Sequence, residues 1–132
     1  MPEQPEKWFT ANNLELLRTL WSSIPEEQVE EYITVFSQLG ALTAALNWYR
    51  ANSFELEKGY QGAMFGPVSH PAQLIWGNQD MAVGRAAVER TEQYMKGSYR
   101  LVELNAGHWL IQEEPESVYN EILVHLKSNR MQ

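Results

Sequence analysis

A change of hydrophobic period across a run of glycines and prolines limits the possible folds of this chain more than any other feature. Gly59, Gly62, Gly66, Pro67 and Pro71 fall between positions 59 and 71, and such a cluster marks a connection between two structural regions. Before it, apolar residues recur at helical spacing. Beyond it, short strand-like runs alternate with helical ones. The pattern predicts two parts, residues 1–66 and 67–132, in a chain of 132 residues.

The first part begins with a polar lead-in over residues 1–12. Leu14, Leu16, Leu17, Leu20 and Trp21 then predict a short amphipathic helix, with Asn12 or Asn13 as its N-cap. Ser23-Ile24-Pro25-Glu26 reads as a capping box opening a second helix, which carries Val29, Tyr32, Ile33 and Phe36 and stops at Leu39-Gly40. A third helix starts near Ala41 with Leu42, Ala45, Leu46, Trp48 and Tyr49. It is apolar on most faces, which predicts burial.

In the second part, Ala72-Gln73-Leu74-Ile75-Trp76 reads as a strand between Pro71 and Gly77, and Asn78-Gln79-Asp80 as the loop after it. Ala87, Val88, Thr91, Tyr94 and Met95 recur at helical spacing over 84–95. Tyr99 to Leu104 reads as a second strand, Asn105 to Trp109 as a loop, and Glu113-Glu114-Pro115 as the start of a final helix through Leu126. Strand, helix, strand, helix is the alternation that builds parallel α/β sheets, with chemistry on the loops at the strand C-termini. Two strands are fewer than a stable sheet generally needs.

Several function classes are excluded by composition. A net charge of −7 disfavours a nucleic-acid partner, which draws on clustered Lys and Arg. With no cysteine, disulfides, thiolate chemistry and Cys-ligated metal sites are out, and His70, His108 and His125 have no metal-ligand spacing. No metal or other cofactor is implied. No apolar run approaches the roughly 20 residues that span a bilayer. The acidic N-terminus is unlike a signal peptide, so the expected location is the cytoplasm.

Three motifs, in order, carry a resemblance to a known family. Gly40-Ala41-Leu42-Thr43-Ala44-Ala45-Leu46-Asn47-Trp48-Tyr49-Arg50 resembles the late cap-domain helix of epoxide-hydrolase-like α/β-hydrolases. Leu74-Ile75-Trp76-Gly77-Asn78-Gln79-Asp80 resembles the strand and loop that present the family's acid, and Ala106-Gly107-His108-Trp109 the loop that bears its general-base histidine. The resemblance implies a partial α/β-hydrolase fold: a helical cap segment, then a β-α-β-α unit of a parallel sheet. It implies Tyr49 as an oxygen-polarising donor, Asp80 as the orienting acid and His108 as the base.

Read without that resemblance, Asp80 suits an Asx turn or helix cap, His108 a turn histidine tied to backbone, and Tyr49 a core aromatic. The order of the motifs favours the functional roles for Asp80 and His108. The family's carboxylate nucleophile has no counterpart, since the sequence contains neither Gly-x-Ser-x-Gly nor Gly-x-Asp-x-Gly. Two functions are therefore expected to compete. In one, the chain is a hydrolase part supplying acid and base beside a complementary hydrolase half. In the other it is an interaction module, pairing as a homodimer or holding a small apolar ligand, whose exposed strand edge and apolar faces drive association.

Overall fold

The computed structural model describes residues 4–58 and 66–129. The chain divides into two compact units, Met1–Phe65 and Gly66–Gln132. Gly59 and Gly62 of the predicted connection lie outside the described residues.

The first unit is helical among its described residues: α1 (Gln4–Thr10), α2 (Glu15–Leu20), α3 (Glu26–Phe36) and α4 (Ala41–Lys58). Helix α1 occupies what reads as a polar lead-in. It lacks an apolar stripe to betray it, and its Trp8 is exposed. A long-range ion pair holds it instead, Arg50 Nη2 on α4 donating to Glu6 Oε2 at 2.7 Å. The core beneath is built from Leu14, Leu17, Trp21, Ile24, Val29, Ile33 and Leu42. Trp21 sits edge-on to Tyr32 at 5.3 Å and tilted against Phe36 at 5.6 Å. Each fully buried aliphatic of this kind contributes about 1.5–3 kcal/mol.

Three details of the first unit differ from the sequence reading. Asn12 and Asn13 do not cap α2; with Leu14 they form a left-handed turn, φ 49°, 56° and 62°. Asn tolerates that region, whereas Leu pays roughly 1–2 kcal/mol for it, offset by burial of the Leu14 side chain. Helix α3 takes Pro25 as its N-cap, two residues later than the Ser23 of the sequence reading. Helix α4 is not buried all round: of its residues 41–52 only Leu42 is in the core, while Trp48 and Tyr49 stand exposed, edge-on to each other at 5.1 Å.

The second unit holds strands β1 (Ala72–Gly77) and β2 (Tyr99–Leu104), in register from Ala72 opposite Tyr99 to Gly77 opposite Leu104. They are parallel, so a crossover is required. It runs through α5 (Arg85–Arg90) and a 3-10 turn at Thr91–Tyr94, a tighter path than one continuous helix over 84–95. After β2, α6 (Leu110–Glu113) and α7 (Pro115–Ser128) replace the single predicted helix, Pro115 standing at the first turn of α7, where its missing N–H costs nothing. Glu121 ties α7 to the sheet by accepting from Gln73 Nε2 at 3.2 Å and Arg100 Nη1 at 2.6 Å.

Among the described residues the sheet has two strands, and its core is thin: Trp76, Val88, Val102, Ala106 and Val118. Leu101 on β2 and Tyr119, Ile122, Val124 and Leu126 on α7 are exposed. Strands of parallel sheets are normally covered on both faces.

Candidate active site

Both strands of the sheet run out into loops at the same end, and each loop carries one titratable residue of the candidate site. The ladder extends past the strands proper, Asn78 N donating to Leu104 O at 2.9 Å and Gln79 N to Ala106 O at 3.0 Å. The two loops therefore leave the sheet locked side by side. Asp80 closes a turn on Gly77, its N–H donating to that carbonyl at 3.1 Å.

Four donor contacts then fix the Asp80 carboxylate. Oδ1 accepts from Ala82 N at 2.7 Å and Val83 N at 2.9 Å, and His108 Nδ1 lies 3.0 Å from both Oδ1 and Oδ2. The turn that supplies the amides is itself pinned, because the indole Nε1 of buried Trp76 donates to Val83 O at 2.9 Å. Arg85 lies 4.9 Å from the Trp76 ring centroid and pairs with Glu103 through two bonds, at 2.8 and 3.0 Å.

Close packing of backbone lets the loops approach this far. A Cβ on Gly77 would stand 2.3 Å from Ala106 O and 2.4 Å from Gly107 O. Only glycine at the end of β1 lets the histidine loop pass directly beneath it.

The electrostatics separate the two partners. Burial pushes the Asp80 carboxyl up, but the His108 hydrogen bond and the amides of Val83 and Ala82 outweigh it and leave the group below its ordinary value. The Asp80 side chain is 7% exposed and that of His108 35%: the carboxylate is sequestered and the imidazole open to solvent. A carboxylate facing Nδ1 selects the tautomer with its proton there. Nε2 is then left as the proton acceptor. The sequence offers Asp80 as either turn-former or acid, and in the structure one carboxylate both closes the turn and faces His108.

Tyr49 belongs to the first unit, on the exposed side of α4. His70 lies in a bend before β1, and His125 near the end of α7 sits 3.4 Å from Asn129 Nδ2. No group of three metal-ligating side chains occurs among the described residues.

Known proteins resemble this chain in sequence and in fold. Epoxide hydrolase 4 of Mus musculus is 33% identical over 96% of this chain and 37% of its own length. An AB hydrolase superfamily protein, YfhM, of Bacillus subtilis is 35% identical over 77% of the chain and 34% of its own. Epoxide hydrolase A of Mycobacterium thermoresistibile superposes with a TM-score of 0.67 at 30% identity, over 83% of this chain and 34% of that one. The chain belongs with the C-terminal portion of epoxide-hydrolase-like α/β-hydrolases. An epoxide hydrolase from Bacillus megaterium, at 22% identity, matches in fold alone, with a TM-score of 0.73 over 94% of this chain and 48% of that one. No protein-family model matches the sequence. The chain spans about a third of the length of the epoxide-hydrolase-like relatives it matches in sequence, and its helices and two-stranded parallel sheet form part of their fold.

Sequence reasoning missed the residues that hold Asp80 and His108 in place. The Ala82 and Val83 amides and the Trp76 indole carry no motif of their own. Gly77 was legible only as the end of a strand.

Proposed function

We propose that this chain supplies the acid and base of an epoxide-hydrolase-like reaction, the attacking carboxylate coming from residues outside this sequence. Asp80 holding both oxygens at 3.0 Å from His108 Nδ1 carries that reading. In the step assigned to the pair, an alkyl ester formed on that carboxylate is hydrolysed. Water attacks the ester carbonyl carbon while His108 Nε2 takes one of its protons, and the bond from that carbon to the alkyl oxygen breaks. The alcohol leaves with the proton from His108, and the carboxyl group gives up the second water proton to solvent, which restores the carboxylate. Asp80 steadies the imidazolium without being protonated. Tyr49 takes the role of hydrogen-bond donor to the epoxide oxygen as it gains charge.

The test uses an aryl epoxide and an aryl ester, with the chain alone and with a polypeptide carrying a hydrolase nucleophile elbow. Alone, the chain should show no covalent adduct by intact mass. With the elbow polypeptide, hydrolysis should appear and fall about 100-fold or more in His108→Ala, the lower end of the range for loss of a general base. Equal rates in wild type and variant would remove the assignment.

A second reading, a self-associating module, is favoured by the exposed Leu101, Tyr119, Ile122, Val124 and Leu126 of the second unit. It expects a homodimer. Sedimentation at micromolar concentration should then show a dimer, and a monomer at every concentration would exclude it.

A further inference from the structure

The loop that carries His108 has a second restraint. Glu113, half-buried on α6, reaches back six residues and accepts the N–H of Gly107 on one carboxylate oxygen. Helix α6 begins two residues after the histidine, with Trp109 as its N-cap and the Gln112 and Glu113 amides both donating to Trp109 O at 2.9 Å. Residues 107–113 thus form a closed ring with His108 on its rim, and the Glu113 side chain completes it.

The fit at the junction is tight on both faces of the Gly107 peptide. A Cβ on Gly107 would lie 2.8 Å from Glu113 Oε1, and the Gly107 carbonyl is the atom that a Cβ on Gly77 would meet at 2.4 Å. One side is gripped by a hydrogen bond and the other by backbone contact. The imidazole also makes an edge-on contact with Trp109, at 5.0 Å between centroids. A loop holding a catalytic ring must fix it to within about 0.5 Å, through groups that do not themselves react.

We infer that Glu113 is a positioning residue, whose carboxylate staples Gly107 so that His108 Nδ1 is delivered to Asp80. The inference rests on the acid–base reading above and adds to it the group that sets the base's orientation. Its contribution is the acceptor oxygen. A neutral acceptor of the same shape should therefore serve, and an apolar isostere should not.

The experiment measures the amide exchange of Gly107 and the ring-nitrogen shifts of His108 by NMR, in wild type, Glu113→Gln and Glu113→Leu. Wild type should protect Gly107 and show a single His108 tautomer with the proton on Nδ1, and Glu113→Gln should keep both. Glu113→Leu should raise Gly107 exchange by roughly tenfold or more, as expected of a loop amide losing its only tie, and should mix the tautomers while Val102 in the strand stays protected. Unprotected Gly107 in wild type, or unchanged exchange and tautomer in Glu113→Leu, overturns the inference. Should the leucine variant fail to fold, the wild type and the glutamine variant decide, since loss of Gly107 protection in either counts against the staple. If Gly107 is protected in a Glu113-dependent way while wild-type His108 shows no preferred tautomer, the acid–base reading fails and the loop staple stands.

Discussion

Gly77→Ala lowers the melting temperature by roughly 10 °C or more and separates Asp80 from His108, although it adds a single methyl group. The added Cβ would sit 2.3 and 2.4 Å from two carbonyl oxygens of the histidine loop. Both obstructing atoms are backbone, so no rotamer change relieves the clash, and the loop must move. Overpacking of this kind costs about 1–3 kcal/mol, and the upper end applies where the neighbour cannot turn aside. In a unit this small, each kcal/mol moves the melting point by about 4–8 °C. Gly84→Ala is the control. A Cβ there meets nothing within 4 Å, so its melting temperature should stay close to wild type, and a fall equal to that of Gly77→Ala would contradict the packing explanation.

Asp80→Ala has the second large effect, on stability and on the histidine together. Removing the carboxylate leaves the Ala82 and Val83 amides and His108 Nδ1 without their common acceptor. Hydrogen bonds to a charged group contribute about 1.5–3 kcal/mol each, and water recovers part of that once the side chain is gone. A loss of about 2–4 kcal/mol in denaturant unfolding at pH 7 is expected. The sign with pH follows from the direction of the shift. The folded-state value of Asp80 lies below its ordinary one, so the stabilisation is fully present above about pH 4, the unfolded value, and is lost as pH falls through the folded value. Wild type should therefore lose part of its advantage over Asp80→Ala on acidification. An advantage constant from pH 7 to pH 2 would show that the carboxylate's charge is not what stabilises the turn.

Much of this site can be read along the chain because its parts are local. A strand ending in Trp76-Gly77, an acid three residues on, and a glycine before a histidine in the loop after the next strand give the order of a parallel α/β unit and its two candidate side chains. The residues that make the pair rigid are legible only in three dimensions. Val83 is an unremarked position until its N–H is seen on Asp80 and its carbonyl on Trp76. Glu113 reads as the opening of a helix, whereas the structure ends a short helix on it and turns its side chain back to Gly107. In the first unit, α1 escapes notice because an ion pair to Arg50 anchors it, and ion pairs leave no periodic trace. The burial expected of α4 fails for a related reason, since apolar content shows that a helix has something to cover and leaves open whether the same chain covers it.

The assignment of Asp80 and His108 as acid and base is tested most directly by the ring-nitrogen shifts of His108 near pH 8, measured in wild type and in Asp80→Asn. Wild type should hold the proton on Nδ1. The asparagine variant can face Nδ1 with its amide nitrogen and should move the proton to Nε2 or mix the two forms. An identical tautomer distribution in both proteins would mean that Asp80 does not orient His108, and the acid–base assignment would fall with it.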